Sequence, residues 1–447
     1  MASRILQTVN SSPPERSATV KKKLLFFTSR LPGEPVGGRE SSLHYYCKYL
    51  HSMYGLDIVV VSFSKAPGEE ERSRLDFISK TYLVRPPRKL TILKNILKAV
   101  FISGWPIQVC LFYSPEIRDR VKEIVEQERP DYLMADMVRT AEFLKDFPIP
   151  KILDLDDMLS IRYKRQLELK GGQTNPFGQY ARQIPSLVSK VLNSRFVQRM
   201  VLKYEAHRLA KYEIAISRQF DAIVLVSALE TDLLNKILGE QKAFAVPAGV
   251  EMSLFDPGQK EKSGNIISFL GLYSSSHNED TALHLCHNIL PEIKKSVPDV
   301  KLRLIGGGLT KRVEDLAKNP SVEVTGKVPA VQDYLRTSKV FVAPFRFGSG
   351  VKTKILEAMA LKLPVVTNSI GEEGMNIENK GILVVEDDPR DFVKAVVRLL
   401  QDEALREELG EKGRRFVIEN FAYTQTMKQW AKVLSHLDSR CSRTSGA

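Results

Sequence analysis

Cysteine, tryptophan and histidine are scarce in this chain, with 4, 2 and 7 copies among 447 residues. The cysteines lie far apart and no two form a Cys-x-x-Cys pair, so neither a disulfide framework nor a cysteine zinc site is expected. His284 and His287 can share one helix face, but no carboxylate is placed beside them. We therefore expect ordinary packing there and no metal site.

Long hydrophobic runs are also missing. No segment reaches the ~18 uninterrupted apolar residues that a membrane-spanning helix needs. The first residues, which include Pro13, Pro14 and Glu15, lack the apolar core of a signal peptide. We expect the protein in the cytoplasm, either free or peripherally at the cytoplasmic face of the membrane.

Acidic residues are outnumbered, with 53 Asp and Glu against 66 Lys and Arg and a formal net charge of +13. This excess predicts an anionic partner such as a nucleotide or a lipid headgroup. No nucleic-acid-binding module is recognisable, so no nucleic-acid partner is expected. A salt-dependent complex with nucleic acid would contradict that interpretation.

Two basic stretches bear on this partner. Residues 89–102 place lysines among apolar residues at helical spacing, which fits either a helix on an anionic membrane surface or a core helix with a solvated lysine edge. The segment around 162–215 is basic, mostly helical in pattern and poor in strand signals. We interpret this segment as an insertion that docks at lipid headgroups.

Strand-like runs alternate with helical ones from Lys21 onward, which predicts an α/β protein with parallel sheets covered by helices. The length favours two domains. The predicted units are a disordered tail at 1–20, a first Rossmann-like domain at 21–252, a second at 253–421, a crossover helix at 422–438 and a disordered tail at 439–447.

The strongest local pattern is the glycine-flanked segment of residues 347–360, which runs into a helix. Free amide groups near Gly350 to Thr353 would face an anion placed at the helix start, and Lys352 and Arg346 would add positive charge. Glu357, about two turns into the helix, suits a ribose diol. These features together predict a nucleotide-diphosphate site, although a plain surface turn has a similar pattern.

Residues 266–421 resemble the nucleotide-binding half of retaining glycosyltransferases of family 4, which have the GT-B fold. The resemblance rests on the order and spacing of Gly271, the glycine run that begins at Gly306, the turn at Val328, the helix with Glu357 and the strand that starts at Pro364. Weaker similarity extends back to about residue 22. Ser349 stands where many members carry a first glutamate, and in this the chain resembles a Gly-x-Gly-x-Lys branch found among bacterial surface-polysaccharide glycosyltransferases.

The resemblance implies two Rossmann-like domains facing each other across a cleft, with a C-terminal helix returning to the first domain. It implies no metal and no cofactor, because the nucleotide-sugar is itself the substrate. Cations that many members place just after the Gly271 strand are absent, so Arg346 and Lys352 are the expected substitutes. The implied donor-binding residues are Gly37, Gly38, Gly271, Gly306, Val328, Ser349, Gly350, Val351, Thr353 and Glu357.

Asp154, Asp156 and Asp157 follow a predicted strand of the first domain. The Asp-x-Asp spacing of Asp154 and Asp156 is also typical of a metal site in the other large glycosyltransferase fold. The resemblance instead places Asp156 and Asp157 where family members carry a His-Asp pair, with Arg346 and Lys352 as their catalytic partners. Helix capping or ion pairing is the structural alternative for these acids.

These observations lead to one interpretation: a retaining glycosyltransferase that moves a sugar from a nucleotide-diphosphate sugar to a saccharide or lipid-linked acceptor in cell-surface polysaccharide synthesis. Two alternatives stay open. One is a nucleotide-sugar epimerase on the same fold. The other is a catalytically silent partner subunit, which the serine at position 349 and the missing cations would suit.

Overall fold

Two parallel β-sheets, each covered by helices on both faces, make up the protein. The computed structural model describes residues 21–33, 39–64, 75–168, 194–258, 264–348, 350–375, 377 and 381–444. Within these residues the two parallel sheets of the α/β architecture expected from the sequence are confirmed.

The first sheet has seven parallel strands in the order β3-β2-β1-β4-β5-β6-β7. Its central strands are nearly continuous apolar runs, as expected for parallel strands buried on both faces. Its strands are β1 (Lys23–Thr28), β2 (Asp57–Phe63), β3 (Lys80–Val84), β4 (Tyr132–Asp136), β5 (Lys151–Asp156), β6 (Ala222–Leu225) and β7 (Ala243–Ala245). Its helices are α1 (Arg39–Tyr54), α2 (Lys89–Lys98), α3 (Ile107–Cys110), α4 (Pro115–Glu128), α5 (Met137–Leu144), α6 (Leu159–Glu168), α7 (Arg195–Ser217) and α8 (Ala228–Leu238).

The second sheet has six parallel strands in the order β10-β9-β8-β11-β12-β13. The strands are β8 (Ile266–Leu270), β9 (Lys301–Ile305), β10 (Val322–Gly326), β11 (Val340–Ala343), β12 (Val365–Thr367) and β13 (Val384–Val385). The helices are α9 (Ser276–His284), α10 (Leu290–Lys294), α11 (Lys311–Glu314), α12 (Val331–Arg336), α13 (Thr353–Ala360), α14 (Ser369–Glu372), α15 (Pro389–Gln401) and α16 (Glu403–Asn420). Two π-helical turns, Ala99–Ser103 and Leu285–Ile289, follow α2 and α9.

Strand order reverses once in each sheet, between β1 and β4 in the first and between β8 and β11 in the second. Neighbouring connections leave opposite faces of the sheet at such a point and open a crevice at the carboxyl ends of the strands. The two crevices are where ligands are expected.

The chain returns to the first domain after α16. Val250 and Ala422 form a β-bridge, and α17 (Tyr423–Thr426), a 3₁₀ turn (Met427–Gln429) and α18 (Trp430–Thr444) follow. Trp430 is fully buried, and the centre of its ring lies 5.4 Å from the centre of the Tyr46 ring of α1, with the two rings nearly perpendicular.

The prediction of a disordered tail from residue 439 was wrong, because α18 continues to Thr444. An ion pair joins Arg440 on this last stretch to Asp221 of the first domain at 3.4 Å. The predicted tail at 1–20 and residues 169–193 of the predicted basic insertion lie outside the described residues. No helix in the described part of the chain is long and apolar enough to cross a membrane.

Candidate active site

The glycine loop lies at the switch-point crevice of the second sheet, between β11 and α13. Gly350 has a φ of 65°, and a Cβ built on it would lie 3.4 Å from Val226 of the first domain. The loop therefore lies at the interface between the two domains. No side chain caps the start of α13, which leaves its first amide groups without a capping partner among the described residues.

Lys352 and Lys354 bring two cations to this loop. The Lys352 ammonium is buried and donates a hydrogen bond to the Gly350 carbonyl at 2.6 Å. Lys354 is hydrogen-bonded to Asn278 and lies 5.4 Å from the centre of the Phe345 ring. Burial lowers the pKa of Lys352 to about 8 and that of Lys354 to about 7, so an anion that restores their charge would be favoured here.

Glu357 stands one turn after Lys354 on the same helix. Burial raises the pKa of Glu357 to about 7, and the neighbouring ammonium of Lys354 opposes the shift. Burial raises the pKa values of Tyr45 and Tyr423, and the nearby Glu357 carboxylate raises both further. Glu357 therefore faces the place where the two domains meet. Lys354 was not among the predicted site residues, although its place in the loop-to-helix motif was a signal for it.

Arg346 is engaged elsewhere. Its guanidinium donates to the Asp280 carboxylate of α9 through Nε at 2.8 Å and through Nη2, and the side chain is 48% exposed. The structure thus places this predicted cation in an ion pair on α9. Burial lowers the pKa of His277, whose ring lies beside the loop. The positive charges of Lys354, Lys352 and Arg162 lower that pKa further.

Two predicted glycines form the floor of the crevice. Gly306, at the end of β9, has a φ of 125°, and a Cβ there would come within 2.2 Å of the Gly271 carbonyl oxygen. The two backbones can pass this closely only because residue 306 has no side chain.

Three of the other predicted donor residues lie in the part of the chain that the structure describes. Val328, Val351 and Thr353 are partly buried in the second domain, and Val328 and Val351 pack against its core. Gly37, Gly38 and Ser349 lie outside the described residues.

The carboxyl ends of the first sheet hold a buried arginine. Arg39, at the start of α1, donates to Asp136 Oδ1 at 2.7 and 3.0 Å, to Asp156 Oδ1 at 3.1 Å, and to Asp154. Ser29, just after β1, adds two hydrogen bonds to Asp136. This Arg39 cluster occupies the switch point between β1 and β4.

The buried acids of the Arg39 cluster differ in the direction of their pKa shifts. Burial raises the pKa of Asp154 to about 7 despite the guanidinium. Burial also opposes the charge on Asp136, but Arg39 and Ser29 lower its pKa overall. Asp156, with a φ of 65° and a 25% exposed side chain, is the member that reaches toward the cleft.

Asp154 and Asp156, the Asp-x-Asp pair, both accept hydrogen bonds from the Arg39 guanidinium, as the ion-pairing alternative for these acids predicts. Asp157, the fourth predicted catalytic residue, pairs instead with Arg162 at 3.2 Å. No group of three or more His, Cys, Asp or Glu side chains within the described ranges is arranged to hold a metal ion.

Helix α6 carries cations into the cleft. Arg165 Nη1 lies 2.6 Å from Glu373 Oε2 in the second domain and 3.2 Å from the Gly348 carbonyl. Arg162 and Arg165 belong to the run that we interpreted as a lipid-docking surface, and that interpretation was wrong for these two residues. Sequence reasoning missed them because helical phase alone does not show which side of a basic helix faces the cleft.

Known proteins resemble this chain in sequence and in fold. Residues 264–402 match the family described as "Glycosyl transferases group 1". Sucrose-phosphate synthase from Thermosynechococcus elongatus superimposes with a TM-score of 0.67 at 14% identity, over 94% of this chain and 100% of that one. TarM superimposes with a TM-score of 0.63 at 13% identity, over 93% and 99% of the two chains. The chain is a glycosyltransferase with the GT-B fold.

Sequence relatives of this glycosyltransferase are distant. A protein encoded in the cps region of Klebsiella pneumoniae is 22% identical over 78% of this chain and 86% of its own length. The capsular polysaccharide biosynthesis glycosyltransferase CapM of Staphylococcus aureus is 26% identical over 47% of this chain and 57% of its own. Membership of family 4 and of its Gly-x-Gly-x-Lys branch stays a prediction.

Proposed function

We propose that this glycosyltransferase moves a sugar from a nucleotide-diphosphate sugar to a saccharide or lipid-linked acceptor, with retention of anomeric configuration, in surface-polysaccharide synthesis. The main support is the convergence of uncapped amide groups, Lys352, Lys354 and Glu357 at one switch-point crevice. HepE of Anabaena, which superimposes with a TM-score of 0.60 at 14% identity, was crystallised with UDP and glucose. The capsule-related names of the Klebsiella and Staphylococcus relatives support the assignment to surface polysaccharide.

Each group has one task in this proposal. Lys352, Lys354 and the amides of residues 350–353 stabilise the charge that develops on the leaving diphosphate, so no metal is required. Glu357 accepts hydrogen bonds from the ribose, and the backbone near Val328 contacts the base. Asp156, at the rim of the Arg39 cluster, faces the transferred sugar or the acceptor.

Nucleotide binding tests the donor site. Thermal unfolding with UDP, GDP, ADP or CDP, each with and without Mg²⁺, should show one metal-independent rise in melting temperature. At a hundredfold excess of ligand over Kd, the expected stabilisation is about 2.7 kcal/mol. Glu357→Ala should abolish most of the shift, because the ribose loses its acceptor.

The matched control is Glu407→Ala, which removes an exposed glutamate of α16 and should leave the shift unchanged. Absence of a shift with every nucleotide would contradict the donor site. Binding without sugar transfer to any acceptor would favour the silent subunit, and interconversion of sugar epimers would favour the epimerase.

We also propose an anionic membrane surface as a partner, because one end of the first domain is apolar and basic. Phe101 and Ile102 are each 79% exposed, and Phe196 is 74% exposed. Val201 and Tyr204 of α7 pack beside the buried Ile92 of α2, which brings the two exposed segments together.

Charge favours the same partner. No acidic residue lies between Asp76 and Glu116, nor between Glu168 and Glu205. Those two stretches together contain twelve cations: Lys80, Arg85, Arg88, Lys89, Lys94, Lys98, Lys170, Arg182, Lys190, Arg195, Arg199 and Lys203. Exposed apolar side chains within stretches of sequence that carry cations and no acids are typical of proteins that lie at an anionic bilayer surface.

Vesicle flotation tests this partner. Replacing Phe101 and Ile102 by Ser should reduce binding to vesicles containing phosphatidylglycerol by at least about tenfold, since each side chain contributes roughly 1.5–3 kcal/mol when buried. Replacing the exposed Leu229 and Leu233 of α8 by Ser is the matched control and should change nothing. Equal binding to purely zwitterionic vesicles, or no loss in the Phe101 and Ile102 variant, would refute the proposal.

A further inference from the structure

We propose that Arg165 is a further catalytic residue: the first domain delivers it to the donor diphosphate, and Glu373 holds the guanidinium in position until the diphosphate binds. This inference rests on the proposed function and adds a residue to that site. Its support is the position of α6 against the glycine loop.

Arg165 already reaches the loop from the opposite domain. Its Nη1 lies 2.7 and 2.6 Å from the two carboxylate oxygens of Glu373 and 3.2 Å from the Gly348 carbonyl. The next residue, Gln166, contacts Ser276 Oγ at 3.4 Å, at the start of α9. One turn of α6 therefore spans the cleft between β5 and the donor loop.

The rest of the Arg165 guanidinium is available for an anion. Among the described residues, its hydrogen bonds run through Nη1, and the side chain is 40% exposed. A guanidinium that holds a carboxylate through one nitrogen can hold phosphate oxygens with its remaining donors. The two anions present similar acceptors to it, so Glu373 resembles a phosphate at this position.

The second domain supplies fewer cations than expected. Residues 272–276 after β8 contain no Lys or Arg, and Arg346 is paired with Asp280. Lys352 and Lys354 remain, and both pKa values are lowered by burial. The first domain supplies a further cation at the loop, because Arg165 is in contact with the Gly348 carbonyl.

The reaction increases the need for that cation. The bond between the anomeric carbon and the β-phosphate oxygen breaks, and both of its electrons leave with that oxygen. The acceptor oxygen forms the new bond to carbon, and its proton ends on the departing diphosphate. Negative charge thus grows on the diphosphate in the transition state, where a positioned arginine lowers the barrier.

The proposal predicts opposite effects for the two partners of this ion pair. Glu373→Gln removes the competing anion and should tighten binding of the nucleoside diphosphate selected by the thermal panel, by about fivefold. Arg165→Ala should weaken that binding by about tenfold and lower kcat by at least about 100-fold. Arg165→Lys, which keeps the charge but loses the planar fork, should fall between wild type and Arg165→Ala.

Isothermal titration calorimetry and initial rates on the full chain measure these effects. In the Arg165→Ala background, Glu373→Gln should have little further effect on affinity. Arg118→Ala, at a weakly paired and exposed arginine of α4, is the control and should match wild type.

A purely structural latch between the domains would give a different result. Both Arg165→Ala and Glu373→Gln would then shift affinity and melting temperature in the same direction, which would overturn the inference while wild-type nucleotide binding persists. Failure of the wild type to bind any nucleoside diphosphate would overturn the proposed function and this inference with it.

Discussion

Arg39→Ala is expected to lower the free energy of unfolding by about 3–5 kcal/mol, because it leaves buried carboxylates without their counter-ion. Asp136 and Asp154 have fully buried side chains, and Arg39 donates to both. Urea unfolding followed by circular dichroism measures the change. Arg39→Lys should cost less, since an ammonium keeps the charge but not the fork that spans three acids.

The loss should also depend on pH. Without the guanidinium, the folded-state pKa of Asp154 rises further above its unfolded value, and the pKa of Asp136 rises because it loses the pairing that lowers it. A carboxyl group with a raised folded pKa is stabilising at low pH, and that stability is lost as pH rises. The deficit of Arg39→Ala should therefore be larger at pH 8 than at pH 5.

Arg30→Ala is the matched control, because Arg30 pairs with Glu40 at 3.9 Å where the glutamate is 44% exposed. Removal of such a pair should cost at most about 1 kcal/mol. Equal stability of Arg39→Ala and Arg30→Ala would show that the Arg39 cluster does not hold the strand ends together.

Gly306→Ala is expected to have the second largest effect, a loss of about 2–5 kcal/mol together with weaker nucleotide binding. A backbone φ of 125° strains any residue with a Cβ, and that Cβ would lie 2.2 Å from the Gly271 carbonyl oxygen. Relief of the clash must separate the ends of β8 and β9, which form the floor of the donor crevice. Chemical unfolding and nucleotide titration report the two effects separately.

Gly55→Ala isolates the strain from the clash. Gly55 has a φ of 68°, but a Cβ there meets nothing within 4 Å. Its cost should stay near the ~1–2 kcal/mol of a left-handed backbone, with unchanged nucleotide affinity. If both alanine variants lose the same stability and bind nucleotide equally well, close backbone contact at Gly306 is not important.

Apolar runs in the sequence mark the central strands more clearly than most of the edge strands. The cores of β1, β2, β4 and β8 are apolar runs, because parallel strands covered on both faces must exclude polar residues. Three edge strands, β3, β7 and β13, have a weaker signal in the sequence. β3 is largely exposed or half-buried, and the other two have three and two residues. Segments this short or this polar show no clear alternation of hydrophobic residues.

The donor site could be anticipated because its parts are adjacent in the chain. The glycine loop, Lys352 and Glu357 lie within residues 347–360, where helix geometry alone relates them. Arg346 immediately precedes this segment, but its partner Asp280 is 66 residues away, so its ion pair was not predictable.

Local sequence was enough to establish two α/β domains and a phosphate-binding helix start, because burial period and amide geometry depend on neighbouring residues. The tertiary structure alone brought Arg39 to acids 97 to 117 residues away, and Arg165 to Glu373 across 208 residues. The sequence around those residues shows that they are charged, but it does not show which way their side chains point. Which anion each cation meets depends on how the strand ends and domains pack, since a hydrogen-bonded ion pair needs its donor and acceptor atoms within about 3 Å of each other.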